Sequence, residues 1–335
     1  MRALIMTGPS RGPDRTEVRD IPDPRPGPGQ VTIDVDHAGI NFVDVMVRRG
    51  DLGYTPAWPY VPGKEVTGTV RVVGTGVEGL TPEQRVAALT AGGGLAEIAL
   101  ASAELTVPVP SEVPSPVAAA APLLLSSALL LLTDAARFIP GDAVLVHSAS
   151  GGVGMAIAQL VPALGGGRLI GTVGHPGKTA LALSAGYQAA LPRTTSTGTD
   201  DKELIKAIRT AADGPVDIVL DALGTTMLDV DLEVTAPGGR IVLFGNAGGD
   251  APAPLPPPSR LLRGNLGIIG FSISSLSVTA PHRVAAALRH VLDLLAAGRL
   301  DMPVSEVSSL GEVSAIHQQL AEGTTTGKFV VRVAG

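Results

Sequence analysis

Between Ala143-Val144-Leu145-Val146-His147, an apolar run, and Met155-Ala156-Ile157-Ala158-Gln159-Leu160, which has helix-forming composition, stands the turn Ser148-Ala149-Ser150-Gly151-Gly152-Val153-Gly154. Strand, glycine turn and helix in that order form the arrangement that receives a dinucleotide pyrophosphate. Gly151 lets the backbone approach the phosphates, Gly154 lets helix and strand pack closely, and the helix N-terminus presents N–H groups and a favourable dipole. Ser150, Gly152 and Val153 complete the turn. The usual first glycine is Ala149 here, so a purely structural glycine turn is the competing reading of the motif alone.

The type of nicotinamide is read near the end of the next strand, about 20 residues further on, where NAD-binding sheets place a carboxylate on the ribose 2′-hydroxyl. That position is Gly174, and His175-Pro176-Gly177-Lys178 follows it without an acid. Nothing there repels a 2′-phosphate. Lys178 and, beyond the third strand, Arg193 offer positive charge, so NADPH is expected over NADH. Solvated loop residues are the alternative for both.

These residues need a parallel sheet to hold them together. Apolar runs alternate with helix-like segments from about residue 140, and they predict strands at Ala143–His147, Arg168–Val173, Gln188–Leu191, Val216–Leu220, Arg240–Phe244 and Leu266–Phe271. Such alternation is the mark of βαβ units, and six strands make a full dinucleotide-binding sheet. The first hundred residues read differently, as short β runs such as Val31–Val35 and Val66–Val70 between Pro- and Gly-rich turns. Val117–Leu132 predicts a buried helical connection, Ala251–Pro258 a Pro-rich surface loop, Pro281–Ala297 an amphipathic helix and Lys328–Val333 a final strand. The expected organisation is a mostly β domain over 1–119, a nucleotide-binding domain over 120–272 and a C-terminal return to the first domain over 273–335.

The 335 residues suffice for two cores without a staple. A formal charge of −6 leaves no basic excess for nucleic acid, so a small molecule is the expected partner. The chain has no cysteine, which excludes disulfides, thiolate catalysis and thiolate-rich zinc sites. Val117–Leu132 is shorter than the roughly 20 residues of a membrane span, and the run after Met1 is too short for a signal peptide. A cytoplasmic protein without membrane contact is expected.

Ala38-Gly39-Ile40-Asn41-Phe42-Val43-Asp44, Gly63-Lys64-Glu65-Val66-Thr67-Gly68, the glycine turn, Leu169–Gly174 and Phe244-Gly245-Asn246 together resemble the zinc-independent quinone oxidoreductases of the medium-chain dehydrogenase/reductase superfamily. Asn41–Met46 also resembles the enoyl-reductase domains of polyketide synthases. The resemblance runs in order along nearly the whole chain. It implies an α/β fold: a Rossmann doubly wound parallel sheet plus a GroES-like, mostly β catalytic domain, in a homodimer joined through Leu266–Phe271. It further implies that Asn41 faces the nicotinamide, that Ser127 stands where the family often has a threonine, and that Asn246, Phe271, Ser272 and Lys328 lie along the dinucleotide. Zinc-bearing relatives carry a cysteine and a histidine at the positions of Asn41 and Lys64, and neither replacement is a useful zinc ligand.

The implied activity is hydride transfer from NADPH to a quinone or an α,β-unsaturated carbonyl. Such chemistry needs a donor at the substrate carbonyl and a proton source. Many relatives have a tyrosine where this chain has Met46, which can do neither. Lys64 then becomes a candidate acid, base or oxyanion partner; pairing with Glu65, Asp44 or a cofactor phosphate is its alternative. Tyr54, Trp58 and Tyr60 form either a stacking surface for a flat substrate or ordinary loop packing. The loss at Met46 also leaves open a non-redox role, in which NADPH is structural or the site catalyses a cyclisation, elimination or isomerisation. A crystallin-like, RNA-binding role fits the acidic charge poorly.

Overall fold

The computed structural model describes residues 1–51, 53–54, 56–193, 201–249 and 253–333. Its strands in chain order are β1 (Arg2–Met6), β2 (Thr16–Asp20), β3 (Gln30–Ile40), β4 (Glu65–Val73), β5 (Arg85–Leu89), β6 (Ile98–Ser102) and β7 (Thr106–Pro108). There follow β8 (Ala143–His147), β9 (Arg168–Val173), β10 (Ala189–Pro192), β11 (Val216–Asp221), β12 (Thr235–Leu243) and β13 (Gly267–Gly270). The last two are β14 (Val304–Val307) and β15 (Lys328–Arg332).

The chain divides into one unit of Met1–Ser127 with Ile273–Gly335 and another of Ala128–Ser272. In the first, seven strands run in the order β14-β15-β3-β4-β5-β7, with β6 paired to β3 and β1-β2 as a separate hairpin. Val31, Ile33, Val35, Val66, Val70, Val86 and Val331 fill its core. Those of β3 and β4 stand an even number of residues apart and so share one face of the sheet, and β5 and β15 add Val86 and Val331. The return of the chain as β15 is antiparallel to β3, Phe329 opposite Ile40.

This unit takes in 120–127, a stretch that its sequence alone had suggested for the nucleotide-binding domain. Its residues 121–125 form a π turn after the helix Ser115–Ala118. The cause is local. Pro122 has no N–H to give, while the N–H groups of Leu123 and Leu124 donate outward to the Glu65 carboxylate, at 2.8 and 3.2 Å. The helical ladder then resumes one residue late, with Leu125 N–H on the Ala120 carbonyl.

In the second unit the six-stranded sheet has the order β10-β9-β8-β11-β12-β13, and every pair is parallel. Counted from β8, this is the 3-2-1-4-5-6 arrangement of a dinucleotide-binding sheet. β8 and β9 have the bounds the sequence predicts, whereas β12 starts earlier, at Thr235, because Thr235 pairs with Val216 across an irregularity. β13 is shorter than expected and leaves Leu266 and Phe271 outside it. Pro258 is not loop but the first residue of the helix Pro258–Gly264, where its missing N–H costs nothing. Ala251 and Pro252 lie outside the described residues. Among the described residues, no helix is long and apolar enough to cross a membrane.

Candidate functional site

The second unit gathers its predicted residues along one edge. Ser150–Gly154 follow β8, Gly174 follows β9, Arg193 follows β10, Asn246 comes after β12, and Phe271 and Ser272 come directly after β13. They all lie beyond the carboxyl ends of parallel strands, where open α/β sheets bind their ligands. The helix Gly152–Ala163 starts at Gly151, whose φ of −82° and ψ of 171° are extended. Its first-turn N–H groups have no carbonyl within the helix to receive them and face the turn. Gly154 is required by space: a Cβ there would stand 2.5 Å from the Ala149 carbonyl oxygen. Gly171 is similar, since its Cβ would meet that of Ala149 at 2.4 Å.

At the 2′-phosphate end, Gly174 is exposed, and a Cβ built on it would lie 3.3 Å from Nη2 of Arg193. Burial, opposed weakly by Asp221, lowers the Arg193 pKa; burial and the positive charge of Arg193 lower that of Lys178. The two cations therefore share one locality. His175 turns its Nδ1 back to accept the N–H of Gly177 at 3.1 Å and so caps its own turn.

Behind Arg193 runs a buried polar chain that sequence reasoning missed. Arg193 Nη1 donates to Thr172 Oγ1 at 3.0 Å, Thr172 Oγ1 lies 2.7 Å from His147 Nδ1, and His147 Nε2 lies 2.7 Å from Asp231 Oδ1. His147 had been read only as the last residue of an apolar strand. Asp221, beside this chain, accepts the Leu223 N–H at 2.6 Å. Burial and the charge of Asp231 push its carboxyl up to about 7.

In the first unit the residues separate into two groups. Asn41, Glu65 and Lys328 form a closed network: Lys328 Nζ donates to Ile40 O at 3.0 Å, Asn41 Oδ1 at 2.8 Å and Glu65 Oε1 at 2.5 Å. Asn41 Nδ2 donates to Gly39 O at 3.2 Å and Glu65 Oε1 at 2.9 Å. An ammonium has three N–H donors and a primary amide two, so all are spent. The donors of Lys328 Nζ and Asn41 Nδ2 are thus fully used within this network. Asp44 is structural too, accepting the backbone N–H of Asn41 and of Gly63, each at 3.0 Å.

Lys64 pairs with neither Glu65 nor Asp44. It precedes Glu65 at the start of β4, where consecutive side chains point to opposite faces. Its Nζ instead donates to Ala91 O at 2.8 Å, and the Tyr60 hydroxyl approaches the same oxygen at 3.5 Å. Burial lowers the Lys64 pKa against the pull of Asp44, while burial raises that of Tyr60 to about 12. Met46 is only 4% exposed and belongs to the core, and Ser127 is buried at 8%. Tyr54 and Trp58 are half-buried in the same loop region as Tyr60.

Residues 27–111 match the model of the alcohol dehydrogenase GroES-like domain, and 152–293 that of the zinc-binding dehydrogenases. A quinone oxidoreductase of Mus musculus is 30% identical over 96% of this chain and 94% of its own length. A spectinabilin polyketide synthase system protein of Streptomyces orinoci is 32% identical over 91% of this chain, which spans 13% of that much longer protein. A solved mycobacterial protein complexed with NADPH superposes with a TM-score of 0.89 at 31% identity, over 99% of both chains. A GroES-like unit joined to a Rossmann unit defines the class of medium-chain dehydrogenases and reductases. Within it, the chain belongs to the family of the quinone oxidoreductases and is an oxidoreductase by that membership.

Two outcomes follow from the buried charges. Lys328→Met leaves the Glu65 carboxylate buried without its cation and should cost about 3–5 kcal/mol in denaturant unfolding. Adding Glu65→Gln should return a large part of that loss. Asp221 has a folded pKa above its unfolded 3.8, so the folded state holds a proton that the unfolded state releases. Stability on its account is full below pH 3.8 and is lost as the pH rises to about 7. Asp221→Asn should therefore raise the melting temperature relative to the native protein more at pH 8 than at pH 5.

Proposed function

We propose that this protein is an NADPH-dependent reductase that delivers a hydride to a quinone or to the β-carbon of an α,β-unsaturated carbonyl. The observation that carries the reading is the locality formed by Gly174, Arg193 and Lys178. It has two cations and, at the position that would contact the ribose, no carboxylate. A 2′-phosphate relieves their mutual repulsion, whereas a 2′-hydroxyl does not. The NADPH bound in the mycobacterial neighbour is in accord with this.

The close-packed glycine turn at the start of the helix Gly152–Ala163 suits a dinucleotide pyrophosphate. Gly151–Gly154 would hold the pyrophosphate against the helix N-terminus, with Ser150, Asn246, Phe271 and Ser272 along the same strand ends. His175 would border the 2′-phosphate. When bound, NADPH supplies the hydride from C4 of its nicotinamide. Lys64 would polarise the substrate carbonyl with the N–H donors that Ala91 leaves over, and burial makes its ammonium a readier proton source. Ser127 is a further candidate polar group near the reacting end. Asn41 and Lys328 act instead by fixing the backbone around Glu65. The chemistry is read as zinc-free: the chain has no cysteine, and an amide and an ammonium stand at the ligand positions of zinc-bearing relatives. The exposed edge of β13 would join two copies in a homodimer.

NADPH should be consumed with at least one member of a panel of quinones and enones, and calorimetry should show it binding more tightly than NADH. Lys178→Ala should narrow that difference by on the order of tenfold to a hundredfold, the worth of a charged hydrogen bond. Equal affinities of the native protein for both nucleotides, or no turnover with any member, would overturn the reading. Lys64→Met should lower turnover by roughly a hundredfold with NADPH affinity unchanged, the scale of losing one oxyanion donor. Normal turnover with weakened NADPH binding would make Lys64 a phosphate partner instead.

A further inference from the structure

We propose that Asp231, His147 and Thr172 form a positioning relay that fixes the guanidinium of Arg193 beside Gly174 and thereby sets the preference for a 2′-phosphorylated dinucleotide. The inference rests on the nucleotide reading above and extends it to three residues that do not touch the nucleotide.

Donor chemistry fixes the hydrogen bond at the Arg193 end. A guanidinium donates and cannot accept, so Thr172 Oγ1 accepts Nη1 of Arg193. Thr172 Oγ1 also lies 2.7 Å from Nδ1 of His147, with its O–H free to donate there. With Nδ1 as acceptor, the ring proton sits on Nε2 and donates to the carboxylate of Asp231 at 2.7 Å. That arrangement satisfies every link from Asp231 to Arg193. Register supplies the contact, since His147 and Thr172 are directly paired across β8 and β9, while Asp231 comes from the helix Leu228–Val234.

His147, Thr172 and Asp231 are 1%, 0% and 0% exposed. Burying three polar side chains in the layer behind an apolar sheet costs free energy that apolar residues would not. The chain leads to only one group with access to solvent, Arg193. With Nη1 held by Thr172, Nη2 of the same planar group stands at the 3.3 Å approach to position 174. A guanidinium held at one end presents the other in a fixed direction, which suits a phosphate. A Cβ at 174 would already crowd Nη2 at that distance, so Gly174 and the relay serve one geometry.

The test measures dissociation constants of NADPH and NADH, with melting temperatures, for the native protein, Thr172→Val and Thr172→Ser. The valine variant keeps the shape and loses the hydroxyl; the serine variant keeps the hydroxyl. Thr172→Val should weaken NADPH about tenfold or more while NADH affinity stays the same, and Thr172→Ser should retain the native ratio. Equal weakening of both nucleotides, or a lower melting temperature with an unchanged ratio, would make the chain a folding element and overturn the proposal. Should Thr172→Val not fold, Arg193→Lys carries the same question. It keeps the charge, but an ammonium lacks the planar fork that bonds Thr172 and faces position 174 together, so the ratio should fall at least tenfold; a native ratio overturns the relay. A native protein without NADPH preference would remove the nucleotide reading itself, a result visible before any variant is made.

Discussion

The carboxylate of Glu65, fully buried, is the constraint around which the first unit is arranged. It accepts from Asn41, from Lys328 and from the N–H groups of Leu123 and Leu124. A lone buried carboxylate is costly, and only a full set of donors makes it tolerable. Those donors come from the N-terminus of the helix Phe42–Arg49, the last strand and the π turn, so satisfying one charge fixes three remote segments. Gly39 is part of the same arrangement, because a Cβ on it would stand 2.2 Å from Glu65 Oε1. The polar residues that look most chemical in this part of the sequence are thus consumed by architecture.

The second unit depends on close backbone approach rather than on charge. The backbone of Ala149 fills the space at Gly154 and its Cβ the space at Gly171, so the turn, the helix and β9 converge on one small residue. This explains how an alanine can stand at the usual first glycine: the closeness is supplied by its two glycine neighbours in space. The Tyr187 hydroxyl adds a fixed point by donating to the Gly154 carbonyl at 2.7 Å, and burial raises its pKa well above the usual phenol range. Around that rigid corner the sheet tolerates the buried chain from Asp231 to Arg193.

What was legible in the sequence followed the physics of local signals. β8 is an apolar run between Asp142 and Ser148 and β9 a β-type run between Gly167 and Gly174, and their ends read correctly because composition changes there. β12 was cut short since Pro237-Gly238-Gly239 has turn composition, although Thr235 pairs with Val216. The parallel strand order, the glycine turn and the absence of a carboxylate at 174 were all open to reading. The saturation of Asn41 and Lys328 was not, because a bond between residues 41 and 328 leaves no local mark. The same is true of His147, Thr172 and Asp231, which come from separate segments and meet only when the sheet and its helix close.

Two lysines show how backbone geometry decides what a charged residue can do. Lys328 enters on a strand beside β3, finds three acceptors and is exhausted by them. Lys64 differs from its neighbour Glu65 only by the alternation at the start of β4, yet its side chain leaves the network and reaches a single carbonyl. A three-donor group with one acceptor retains capacity, and partial burial disfavours its charged form without a carboxylate bonded to restore it. Position along the chain therefore decides which lysine is saturated and which keeps donors to spare. Two adjacent residues thus meet opposite fates: the Glu65 carboxylate is neutralised by a lysine from the far end of the sequence, while Lys64 beside it keeps N–H donors that Ala91 does not use.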